Sequence, residues 1–80
     1  MTKIENNKCE ILMYEAIKEA ESAEMEYAEA EKHLADANEL EWETEQRKAD
    51  QHIGYSQGIY QALSVIGFKH EDMKKLASLI

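Results

Sequence analysis

Residues 9–37, CEILMYEAIKEAESAEMEYAEAEKHLADA, decide the fold. Cys9, Met13, Ala16, Ala20, Ala23, Tyr27, Ala30, Leu34 and Ala37 recur in alternating steps of four and three. An apolar residue at every such step, over nine positions, is the seam of a coiled-coil-like helix. Five of the nine are alanine. So little side chain separates this helix from its partner that the backbones can approach closely, while each contact buries little area at about 25 cal/mol per Å². Such a seam needs length, or further partners. A second, patchier apolar face carries Ile11, Tyr14, Met25, Ala28 and Ala35, with Ile17 between the two stripes. It points to a bundle of three or more helices.

Working outward, residues 1–7 form a polar lead in which Asn6 and Asn7 are candidate helix caps. Past the seam, NELEWETEQRK (residues 38–48) is polar apart from Leu40 and Trp42. A rod continuous from about residue 8 to residue 66 competes here with a hairpin, and the hairpin is preferred. Asn38 tolerates the left-handed conformation of a helix end. Folding near residue 39 sets Ala20 beside Gly58, Ala16 beside Ala62, Met13 near Ile66 and Tyr27 near His52, so that small residues meet small ones. The returning helix has Ala49, Ile53, Tyr60 and Leu63 on one line, widened by Tyr55, Ile59, Ala62 and Ile66. Gly54, Gly58 and Val65 fall on the opposite side.

No Asp, Glu, Lys or Arg occurs from Gln51 through Phe68. Within that segment Gly54 and Gly58 are spaced i, i+4, and each mid-helix glycine costs about 1 kcal/mol relative to alanine. That spacing opens one side of a helix to a close crossing, a device best known from membrane helix pairs. A membrane span is excluded by Gln51, His52, Ser56, Gln57, Gln61 and Ser64. The expected partner is a second copy of the chain, with Gly54, Tyr55, Gly58, Ile59, Ala62 and Ile66 as the oligomer interface. Gly67 followed by Phe68 predicts a helix stop. Glu71 and Asp72 suit the first turn of a short helix whose apolar face is Met73, Leu76, Ala77 and Ile80.

The expected architecture is therefore all-α and single-domain over residues 1–80. A long antiparallel helical hairpin with an alanine-rich, coiled-coil-like seam carries a short C-terminal helix and assembles into an oligomeric helical bundle. The helices are expected at about 8–37, 41–66 and 70–79, with a bend at about 38–41. The chain of 80 residues has no proline and three glycines, consistent with helix throughout. A chain this small has a thin core and commonly needs a staple or a partner. Cys9 is the single cysteine, so no disulfide forms within one chain, and one thiol suits a reducing, cytoplasmic compartment. The sequence opens Met1-Thr2-Lys3 without an apolar leader.

Charge is divided along the chain. From Glu10 to Glu45 there are thirteen acids against Lys18 and Lys32, a local net of −11 within an overall −8. From Gln46 to Ile80 three acids face five bases. The acidic half repels nucleic acid, and direct binding of DNA or RNA is not expected. No catalytic group is expected either. Cys9 lies on the apolar seam, Ser56 and Ser64 lack a glycine elbow, and there is no phosphate-binding loop. Glu26, Glu29 and His33 share a face at metal-ligand spacing, but as a solvated flank. No Glu-x-x-His pair is present, and no Glu-x-x-Asp completes a magnesium cage of the kind seen in all-α nucleotide pyrophosphohydrolases. No metal or cofactor is expected.

The function expected from this division is a small acidic protein–protein interaction module. It is homo-oligomeric, dimeric or higher, through the neutral segment, and it engages a basic partner through an acidic face. Glu15, Glu19, Glu26 and Glu29 form that face, and Trp42 is an aromatic set among charges. A specific version is a phage or mobile-element inhibitor that mimics nucleic acid in a basic cleft. The alternatives are a structural coiled-coil adaptor or assembly factor, and a small transcriptional regulator using Lys69, Lys74 and Lys75.

Overall fold

The structure, a computed structural model, describes residues 1–35 and 39–80. The described residues are all-helical, in the order α1 (Lys3–Ala35), α2 (Glu39–Val65) and α3 (Met73–Leu79). Ala37, Asn38 and the start of the expected bend lie outside the described residues, while residues 39–41 are already helical.

Helix α1 begins five residues earlier than the seam pattern implied. The reason is local: Thr2 Oγ1 accepts a hydrogen bond from the Glu5 amide at 3.1 Å and donates to Glu5 Oε1 at 2.9 Å. This threonine–glutamate pair satisfies the first turn, so Thr2, rather than Asn6 or Asn7, caps the helix. Helix α2 ends as Gly67–Phe68 predicts. Gly67 adopts φ 81°, its amide bonds Ser64 O at 3.2 Å, and the Phe68 amide bonds Leu63 O at 3.0 Å. These are the two bonds of a Schellman stop, and its hydrophobic partners, Phe68 and Leu63, are both buried in one cluster. Helix α3 starts at Met73, three residues later than expected. Residues 70–72 instead make a turn, with the Met73 amide bonded to His70 O at 3.1 Å.

Helices α1 and α2 pack along each other in antiparallel order. Cross-helix bonds join Tyr27 to Asp50, Glu19 to His52 and Ala16 to Ser56. The α1 seam faces α2, and Cys9, Met13, Ala16, Ala20, Ala23 and Ala30 are buried. Leu34, expected on the seam, is half exposed. On α2 the buried positions are Ala49, Ser56 and Leu63, seven residues apart, with Ile53 and Tyr60 half-buried beside them. This corrects the expected pairing. Ser56, not Ala62, sits against Ala16, donating its hydroxyl to the Ala16 carbonyl at 2.7 Å, while Gly58 and Ala62 are exposed. Met13 packs with Leu63, Phe68 and Leu76 rather than at Ile66, and Ile66 is 57% exposed. A small hydroxyl satisfied by a backbone carbonyl allows the same close approach as alanine, without leaving a buried polar group unpaired.

Helix α3 folds back onto the open end of the hairpin. Leu76 is fully buried there in a cluster with Cys9, Met13, Ala16, Ile17, Leu63 and Phe68. Tyr14 donates to Asp72 Oδ2 at 2.9 Å, and Lys75 lies 3.8 Å from Glu21. The third helix over part of α1's second apolar face is thus the chain's own, and it buries Ile17. Ile11 and Met25 stay exposed at 60% and 72%. The molecule is a rod of 52 × 16 × 16 Å, with its large core residues at the α3 end and alanine toward the opposite end.

Candidate functional site

Two surfaces stand out, one neutral and one acidic. The neutral one is the face of α2 turned away from α1 over residues 51–65. The buried line Ala49–Ser56–Leu63 fixes the rotation of α2, and with a 3.6-residue period this sends Gly54, Gly58 and Val65 to the far side. A methyl group added at Gly54 or Gly58 meets no atom within 4 Å. Neither glycine is therefore required by the packing of its own chain. Tyr55, Ala62, Val65 and Ile66 are exposed around them. Gly58, Gln61, Ala62, Val65 and Ile66 line a shallow concavity. Of the six residues expected at an oligomer interface, Gly54, Tyr55, Gly58, Ala62 and Ile66 are exposed, whereas Ile59 is half-buried against the core cluster.

The acidic surface is less uniform than its sequence. Glu15 and Glu29 are exposed. Glu19 and Glu26 turn toward α2, where His52 lies between them. Its Nδ1 contacts Glu19 Oε2, and its Nε2 lies 3.0 Å from Glu26 Oε1. Trp42 is half-buried near the start of α2. The expected five-residue face is thus split, with two carboxylates bound within the chain and two free of it in direction.

Beside His52, the Tyr27 hydroxyl donates to Asp50. That hydrogen bond, followed by burial and the Asp50 charge, raises the Tyr27 phenol above its ordinary value of 10.0. Tyr14 is raised in the same way, first by its hydrogen bond to Asp72. Near α3, His70 Nδ1 accepts from the Asp72 amide at 3.0 Å, and the ring stacks on Phe68 at 6.0 Å between centroids. Glu26, Glu29 and His33 do not converge. Among the described residues no group of three His, Cys, Asp or Glu side chains is placed to hold a metal ion, and no helix is long and apolar enough to cross a membrane.

Sequence reasoning missed the bridging role of His52 and the burial of Ser56. The signal for Ser56 was present, because Ala49, Ser56 and Leu63 repeat at seven residues as the α1 seam does. The polarity of serine hid it. No protein-family model matches the chain, and no curated protein or solved structure matches it.

Proposed function

We propose that this chain is a small acidic interaction module that self-associates through the outward face of α2 and offers the carboxylates of α1 to a basic protein partner. The observation that carries the reading is the uncovered, uncharged face of α2. On a chain of net charge −8, that face holds two glycines that cost helix stability and fill no space in their own subunit. A close crossing with a second copy accounts for both. The exposed acids, with Glu15 and Glu29 among them, would speed encounter with a basic surface and make binding sensitive to salt.

A second reading, a structural adaptor whose acid serves solubility, gains support from Glu19 and Glu26, which are engaged by His52 rather than turned outward. The test has two arms. Light scattering at micromolar concentration should give a mass of two or more chains, and Gly58→Glu should reduce it to one. Capture experiments at low and high salt should then recover a basic protein at low salt only. A wild-type monomer removes the self-association. An oligomer that captures nothing basic leaves the adaptor.

A further inference from the structure

His52 has a carboxylate at each ring nitrogen, Glu19 at Nδ1 and Glu26 at Nε2. Both acids belong to α1 and stand seven residues apart, so one imidazole from α2 spans about two turns of the facing helix. A neutral imidazole donates from one nitrogen and carries a lone pair on the other. Whichever tautomer forms, that lone pair faces a carboxylate oxygen. Only the imidazolium donates in both directions. Glu26 sharpens the requirement: its side chain is 20% exposed, and its second oxygen, Oε2, is buried with no hydrogen-bond partner among the described residues. A carboxylate so placed is stabilised by a positive charge beside it.

Among the charged neighbours on α1, Glu15, Lys18 and Glu29 are exposed. On α2, Asp50 accepts from Tyr27, and Lys48 lies 3.7 Å from Glu45. Helix α3 directs its charged contacts to Tyr14 and Glu21 on α1.

We propose that Glu19, His52 and Glu26 form a proton-dependent clasp, closed when the imidazole is charged and loosened when it is neutral. Its position gives it leverage. Large residues hold the two long helices together on the α3 side, whereas toward the end of α1 and the start of α2 the fully buried apolar residues are Ala23, Ala30 and Ala49, whose small area contributes little. Opening the clasp frees the alanine half and leaves the α3 end packed. This inference is independent of the proposed self-association.

His70 is a second histidine with carboxylates near its ring, Glu10 Oε1 at 3.9 Å from Nε2 and Asp72 Oδ2 at 4.0 Å from Nδ1. Its Nδ1 also accepts the Asp72 amide at 3.0 Å. The test therefore reads a difference between proteins. Thermal unfolding of wild type and His52→Gln is followed from about pH 5 to about pH 8, the interval in which histidine side chains change charge. The wild-type advantage in Tm should shrink by about 4 °C on going to the higher pH, as expected for the loss of one such interaction in a domain of this size. Hydrogen exchange, corrected for its intrinsic pH dependence, should quicken in residues 23–35 and 42–52 of wild type but not in residues 63–79. Glu26→Gln supplies a second arm, because its amide donates to a neutral ring and should flatten the response. A Tm gap that stays constant with pH in both variants overturns the clasp.

Discussion

Ser56 is a fully buried polar side chain between the two long helices, and it shows how closely they approach. Its hydroxyl reaches the Ala16 carbonyl at 2.7 Å, a distance that leaves no room for a longer group. Ser56→Ala should cost up to about 1 kcal/mol, because a carbonyl inside α1 keeps its own helical bond when the extra donor is removed. Ser56→Val adds bulk to the same gap and should cost about 1–3 kcal/mol. Urea unfolding of both variants measures the difference, and equal losses would show that space at Ser56 is not limiting. The same scale carries a pH effect. The Tyr27 phenol is raised by its bond to Asp50, so the folded state favours the protonated ring. The contribution is fully present below the unfolded-state value of about 10 and is lost as the pH rises through the higher folded value. Between about pH 9 and pH 11, wild type should lose more Tm than Tyr27→Phe, which has no proton to release.

Among the elements, α3 depends on a few residues. It has seven residues, too few to hold a helix alone, and it is held by fully buried Leu76, by Met73, Leu79 and Ile80 packed on the same cluster, and by the Tyr14–Asp72 bond. Leu76→Ala should cost about 2–5 kcal/mol and release α3. Circular dichroism would show the lost helix, and limited proteolysis would show new cleavage after Phe68. An unchanged digestion pattern would mean that α3 is held by contacts other than Leu76. How far each element was legible follows from the strength of its local signal. The α1 seam was readable because its apolar positions obey one period, of which Cys9, Met13, Ala16, Ala20, Ala23 and Ala30 are buried, and the α2 stop because Gly67 and Phe68 supply both parts of a known terminus. The start of α1 was misread because Thr2 and Glu5 sit outside the apolar repeat. The start of α3 was misread because Asp72, a good helix-opening residue by type, directs its carboxylate to Tyr14 fifty-eight residues away. The rotation of α2 was half legible. Glycine and alanine in the neutral segment suited an inward-facing stripe as well as an outward one, and periodicity alone does not choose between them.

At the scale of the whole molecule, the rod is divided across its width and along its length. The outer side of α2 is neutral from residue 51 onward and the flank of α1 is acidic, the division on which the proposed interactions rest. Along its length, large side chains fill the α3 end, and alanines with Ser56 run toward the opposite end. The two ends fail in different ways. Where Leu63, Phe68 and Leu76 meet, harm comes from subtraction, since every removed carbon leaves a hole. Along Ala20, Ala23, Ala30 and Ala49 almost nothing can be subtracted. There harm comes from addition, since any larger residue acts as a wedge that prises two backbones apart over several turns. A complete substitution scan of this chain should thus divide into two territories, one intolerant of shrinkage and one intolerant of growth, with the border near Ala16.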